Sequence, residues 1–211
     1  MRYIKTFEKF DKVAFHGYKM KPQDMRLTDC EVEWKGPEQD TGCPSFSNEN
    51  RITEEDLQKA ITFLNEEDVR TIIGYSRGGA ILLSAFNNGA KIPDEIYLVA
   101  PAWSRQWADI NPMPINKKGC IIHGGKDDKV PLKHSAILSK ATGLSLYVFP
   151  DCNHINILKN KDNIEGGIKV NNIDEAISIL PDWGKTGSAS PEELNQQIDW
   201  CSKLSLSLIH I

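Results

Sequence analysis

The sequence holds no apolar run near the ~20 residues that a membrane helix needs. Its opening stretch, MRYIKTFEKFDK, is broken by charges every few positions and cannot serve as the apolar part of a signal peptide. Cysteine is scarce: Cys30, Cys43, Cys120, Cys152 and Cys201 make an odd number with no paired metal-ligand spacing. Reduced thiols in a cytoplasm fit this better than a disulfide framework does. Neither sign of charge dominates, since 25 Lys and Arg against 29 Asp and Glu leave a net −4. Nothing in that balance points to a nucleic acid or an anionic membrane as partner. Gly (15) and Pro (11) are not in excess, which removes collagen and low-complexity chains. What remains is 211 residues, 40% apolar and 26% charged, long enough to bury a full core. A single soluble domain over residues 1–205, cytoplasmic by default, is expected.

Short β-rich runs alternate with amphipathic stretches along the chain. Strands are expected at Lys12–Phe15, Cys30–Trp34, Arg70–Gly74, Glu95–Ala100, Gly119–His123 and Leu144–Phe149. Between them, Leu57, Ala60, Ile61 and Leu64 recur at helical spacing behind Thr53, an N-cap with Asp56 three residues on as a weaker stand-in for the glutamate of a capping box. Ile52 and Leu57 stand where a hydrophobic staple would place them. Gly78–Phe86 and Leu132–Ala141 read as further helices, and Ser190-Pro191 opens a C-terminal one. The pattern predicts an α/β fold: a mainly parallel sheet of about six strands with helices on both faces. Residues 36–51, 159–172 and 181–189 read as loops, the first of them on the surface. The final hexapeptide LSLIHI, residues 206–211, is also what one frame of a sequencing-library transposase end encodes, so it is expected to be a non-native tail and His210 is set aside.

Gly74-Tyr75-Ser76-Arg77-Gly78 is a G-x-S-x-G stretch between an expected strand and an expected helix. By composition alone such a pentapeptide arises by chance in roughly one chain in fifteen of this length. The strand–turn–helix context is what gives it meaning, because small flanking residues let strand and helix pass closely while the serine is held clear of the sheet. A serine hydroxyl needs a base. His16 and His123 each end a strand before a glycine and read as structural turn residues, and His134 reads as a surface position on a helix. His154 follows the last clear strand in the loop PDCNH and is the best placed base. The base needs an acid to fix its tautomer, and two adjacent carboxylates, Asp127 and Asp128, follow the strand before.

GYSRGG, HGGKDDKVP and the later NH together resemble the α/β-hydrolase superfamily, with the motifs in that family's order over residues 12–154. The stretch His123–Pro131 matches the family pattern H-G-x-x-D-x-x-V-P at every fixed position. The resemblance implies a catalytic Ser76, Asp127 and His154, with Asp128 outside the motif. It also implies that KVAFHGY ends in an oxyanion-hole loop, so that the backbone amides of Arg77 and Tyr18 (or the neighbouring Gly17) would hold the developing charge. Only 18 residues separate Ala100 from Gly119, too few for a cap domain. An open, minimal site is expected, with Trp103 and Trp107 as candidates for its apolar wall.

The expected activity is that of a serine hydrolase acting on a small-molecule carboxylic ester or thioester, with neither metal nor organic cofactor required. A peptidase or acyltransferase of the same superfamily, or a non-catalytic binding protein using the same cleft, are the alternatives. Cys152 and His154 offer only two metal ligands with no third nearby, so a metal role is the weakest reading.

Overall fold

The computed structural model describes residues 12–20, 45–49, 51–103, 112–160, 164–172 and 174–176. Six strands form one sheet in the order β1 (Lys12–Phe15), β2 (Thr71–Tyr75), β3 (Glu95–Val99), β4 (Lys118–Gly124), β5 (Ser145–Phe149) and β6 (Ile168–Val170). The first five run parallel, and β6 turns back antiparallel along β5, with Val148 opposite Ile168 and Leu146 opposite Val170. Helices α1 (Glu54–Glu66), α2 (Arg77–Asn87) and α3 (Leu132–Thr142) connect successive strands. The expected strand at Cys30–Trp34 lies outside the described residues, as do Trp107, the segment 181–189, the Ser190-Pro191 helix and the tail 206–211.

Alternate strand residues divide between two apolar clusters. Val13, Phe15, Ile72, Ile96, Leu98, Ile121, Leu146 and Val148 face one side, where they meet Ala60 and Leu64 of α1, Ile81 and Leu82 of α2, and Ile137 and Leu138 of α3. Ala14, Ile73, Tyr75, Val99, Ile122 and Phe149 face the other, against Ile157 and Leu158 of a short 3₁₀ segment, Asn156–Asn160. Burial on both faces is why β2 and β4 read as continuous apolar runs rather than alternating ones. All three described helices lie on one side for a topological reason: each connection steps one strand further in the same direction, and such crossovers are right-handed in nearly all proteins.

Helix α1 begins as its sequence requires. The Thr53 hydroxyl accepts from the Asp56 amide while the Asp56 carboxylate accepts from the Thr53 amide, a complete capping box with aspartate in the glutamate role. Two expectations need correction. The stretch 159–172 holds β6, a three-residue strand too short and too exposed to show a period. The supposed surface loop before Arg51 is anchored instead: Phe46 is buried and packs edge-on against Phe15, with ring centroids 4.9 Å apart.

Helix α2 is central, with every residue from Arg77 to Phe86 buried. It can approach β1 and β2 this closely only without side chains at its start. A Cβ at Gly78 would overlap the Phe15 and His16 carbonyl oxygens, and one at Gly74 would lie 2.7 Å from the Gly79 Cα. Gly78→Ala is therefore expected to destabilise the protein by about 3 kcal/mol, because backbone on both sides must move. Thermal unfolding measures this, and a variant as stable as the parent would contradict the packing described.

Candidate active site

The C-terminal ends of all five parallel strands deliver loops to one edge of the sheet, where ligands of open α/β sheets bind. Tyr18 follows β1, Ser76 follows β2, Trp103 follows β3, Asp127 follows β4 and His154 follows β5.

Ser76 occupies the turn from β2 into α2 with φ 51° and ψ −120°, a conformation that L-residues avoid and that costs about 1–3 kcal/mol. Its own hydrogen bonds hold it there. The Ser76 amide donates to the Val99 carbonyl at 2.9 Å, and its carbonyl accepts from the amides of Gly79 (3.1 Å) and Ala102 (2.9 Å). The hydroxyl is left free of any capping role at the start of α2 and points elsewhere.

It points to a histidine. His154 Nε2 lies 3.1 Å from Ser76 Oγ, and His154 Nδ1 lies 2.7 Å from Asp127 Oδ2. A strained serine at a strand–helix elbow, followed in chain order by an acid after β4 and a histidine after β5, decides the architecture. The chain has the α/β-hydrolase fold. Within that fold the loops carrying Asp127 and His154 are tied together: the Gly125 amide donates to the Phe149 carbonyl and the Lys126 amide to that of Cys152. The Lys126 ammonium also pairs with Asp151 at 2.7 Å across the surface.

The two neighbouring carboxylates part ways. Asp127 is buried; its Oδ1 accepts from the Lys129 and Val130 amides at 2.9 and 2.8 Å, leaving Oδ2 for His154. Asp128 is exposed and pairs with Lys129 at 3.0 Å. Burial works against an ionised Asp127, but the His154 hydrogen bond, the nearby imidazoles and the Val130 amide outweigh it and hold the carboxyl below the ordinary value.

Three other histidines lie around this chain of contacts. His123 is fully buried; its Nε2 donates to the Val130 carbonyl at 2.9 Å and its Nδ1 accepts from Ser135 Oγ at 2.7 Å. Burial pushes its pKa down, against opposing pulls from Asp127 and the Val130 carbonyl, so it is neutral and braces the Asp127 loop. His134 is half-buried rather than fully on the surface. Its Nδ1 accepts from the Trp103 amide at 3.3 Å, its ring stands edge-on to the indole, and burial foremost drives its pKa down to about 3. His16, just after β1, has its Nε2 accepting from the Phe46 amide at 3.1 Å.

Trp103 is as little exposed as Ser76, 7% each, and packs in the helix-side core, so it does not form the open wall expected of it. Arg77 opens α2 and contributes the first backbone amide of that helix, while its guanidinium is buried against Asp56 at 2.6 Å. Tyr18 lies in the turn after Gly17, and the overlap that any Gly78 side chain would make shows how closely its arm approaches the start of α2.

One residue was not visible in the motif. Tyr75, the variable position before the serine, donates its hydroxyl to the His154 carbonyl at 2.9 Å and lays its ring 5.1 Å from the imidazole. Burial, with the Asp127 charge adding, pushes its phenol well above the ordinary value, so it stays a donor. Only a large amphipathic side chain at the end of a buried strand hinted at such a role.

No family model matches the sequence, and no curated protein matches it either. Among solved structures, a protein from Thermoplasma acidophilum predicted to be a CIB-like hydrolase is similar at 20% identity and a TM-score of 0.48, over 86% of this chain and 89% of that one. A second, from Xanthomonas campestris pv. campestris and assigned by prediction to the α/β hydrolase superfamily, is similar at 15% identity and a TM-score of 0.46, over 70% of this chain and 88% of that one. No helix among the described residues is long and apolar enough to cross a membrane.

Two outcomes follow for stability. Tyr75→Phe leaves the buried His154 carbonyl without its donor and should cost about 1–2 kcal/mol in urea unfolding, against no change if that bond were incidental. Asp127, and Asp56 beneath Arg77, are both held below the ordinary 3.8, while His123 and His134 are held below the ordinary 6.5. In each case the unfolded chain takes up the proton more readily than the fold. Stability should therefore begin to fall as pH drops below 6.5 and fall more steeply below 3.8. Unfolding free energies that stay flat down to a pH of about 4 would contradict imidazoles held neutral in the fold.

Proposed function

We propose that the protein is a serine hydrolase that cleaves a carboxylic ester or thioester of a small acyl substrate through an acyl-enzyme on Ser76. The observation that carries this reading is the continuous hydrogen-bonded chain from Ser76 Oγ through His154 to Asp127, on a serine held in a strained elbow. Nothing in packing alone requires a serine there, since its hydroxyl takes no part in capping α2.

In this reading His154 Nε2 takes the Ser76 proton as Oγ attacks the acyl carbon, and the carbonyl oxygen gains the displaced electron pair as an oxyanion. The Arg77 and Tyr18 amides hold that oxyanion, helped by the positive end of α2. Collapse of the tetrahedral intermediate breaks the bond to the alcohol or thiol, which leaves with the proton from His154. Water then repeats the sequence on the acyl-enzyme, giving up its proton to His154 and releasing the acid. Asp127 accepts from Nδ1 throughout, which fixes the tautomer and stabilises the imidazolium without itself taking the proton. These steps need neither metal nor organic cofactor. Trp103 would supply part of an apolar edge for the acyl or leaving group.

A fluorophosphonate probe should add once to the folded protein, read by intact mass, and not at all to Ser76→Ala. His154→Ala and Asp127→Asn should lower ester turnover by about 10³-fold or more, because such groups act as a unit. Asp128→Asn should be mild. A folded protein that takes no probe and turns over no ester would overturn the reading in favour of a binding protein.

A further inference from the structure

The reading above places the oxyanion between two amides carried by different parts of the fold: Tyr18 in the loop after β1, and Arg77 at the start of α2. Donors of this kind are useful only when fixed to within about 0.5 Å of a productive geometry. Each peptide plane is pinned through its carbonyl, and because the peptide is planar this also aims the N–H. The Ser76 carbonyl, which shares a peptide with the Arg77 amide, accepts from Gly79 and Ala102. The Gly17 carbonyl, which shares a peptide with the Tyr18 amide, accepts from His16 Nδ1 at 2.9 Å and from the Met20 amide at 3.3 Å. What sets the spacing between the two planes is a separate matter.

We infer that the adjacent residues Phe46 and Ser47 form a clamp that sets this spacing, and so position the oxyanion hole without touching the substrate. The inference rests on the hydrolase reading and on Arg77 and Tyr18 as its amide donors. One half of the clamp grips the β1 arm. The Phe46 amide donates to His16 Nε2 at 3.1 Å, which obliges the imidazole to carry its proton on Nδ1, the nitrogen that holds the Gly17 carbonyl. The Phe46 ring packs against both Phe15 and His16, at centroid distances of 4.9 and 5.4 Å. The other half grips the α2 arm. The Ser47 amide and hydroxyl donate to the two oxygens of Asp56 at 2.6 and 2.7 Å. Arg77 Nη2 in turn donates to Asp56 Oδ2 (2.6 Å), Ser47 Oγ (3.2 Å) and the Arg51 carbonyl (2.9 Å).

The residue that offers its backbone to the oxyanion thus has its side chain locked to the same two-residue segment that orients the opposite amide. The Asp56 and Arg77 side chains are each 1% exposed, so solvent cannot substitute for these partners. A network built only for stability would need no connection to His16. One built only to cap α1 would need no connection to Arg77.

The test pairs disruptive with conservative variants: Ser47→Ala against Ser47→Thr, and His16→Leu against His16→Gln, which keeps an acceptor near the place of Nε2. Turnover of p-nitrophenyl butyrate is measured beside the inhibition constant of an alkyl trifluoromethyl ketone, whose serine adduct carries the oxyanion. In folded Ser47→Ala and His16→Leu, kcat should fall about 10- to 100-fold, and the ketone should weaken by the same factor. KM should stay within about twofold. Ser47→Thr and His16→Gln should recover most of the loss. Undiminished kcat in either folded disruptive variant, or a fall in kcat with no weakening of the ketone, overturns the clamp. Parent protein that turns over no ester and takes up no fluorophosphonate overturns the hydrolase reading itself and the clamp with it.

Discussion

The backbone of Ser76 is held where an L-residue does not rest comfortably, and the surrounding architecture is organised to keep it there. Strain of this kind persists only when neighbours over-determine the conformation. Three hydrogen bonds to the Ser76 peptide groups, from β3 and the loop beyond it and from within α2, supply part of that constraint. The rest is steric. Glycines at 74, 78 and 79 let α2 lean onto β2, β1 and Pro101 at once, so the serine cannot relax without moving three neighbours. The sheet order follows from the same demand, since β2 must lie between the strand that carries Tyr18 and the strand whose loop carries Ala102.

Two buried carboxylates then divide the electrostatic work. Asp127 faces an imidazole on one oxygen and two amides on the other, and Asp56 faces a guanidinium, a hydroxyl and two amides. Removing a charged pair from water costs several kcal/mol per ion, and such a site is tolerable only when the remaining lone pairs are satisfied. Both carboxylates meet that condition. Neither adds much net stability by the general behaviour of buried pairs; what each provides is a single allowed arrangement, of His154 in one case and of Arg77 in the other.

Much of this was legible in the sequence, and the reasons differ by element. The boundaries of β1 and the capping of α1 could be read because apolar period and cap chemistry are local. Ser76, Asp127 and His154 could be named as candidates because G-x-S-x-G, H-G-x-x-D-x-x-V-P and a histidine after a strand each have a fixed place relative to a sheet edge. Asp56 was visible only in half its role. As a capping residue it is local, but its partner Arg77 is distant in sequence, and no periodicity announces a buried ion pair. Phe46 was hidden by a polar, Gly- and Pro-bearing stretch that looks solvated until β1 comes to lie beside it. β6 is too short and too exposed for a pattern, and His134 was misplaced because α3 has polar residues on more than one face. Tyr75 occupies a position that the motif leaves open.

The strand pairings also set a temporal order of difficulty. Thr71 meets Glu95, Glu95 meets Lys118 and Cys120 meets Ser145, three closures of similar length, whereas Lys12 must find Thr71 across a segment more than twice as long. The added closure entropy is modest, roughly 0.8 kcal/mol, but it falls on one strand alone. Ser76, Asp127 and His154 all belong to the part of the sheet assembled from the shorter closures, while the His16–Tyr18 arm belongs to the strand that joins from furthest away. Ser76, Asp127 and His154 are thus brought together through near neighbours, whereas the arm that carries Tyr18 depends on the longest closure in the parallel sheet.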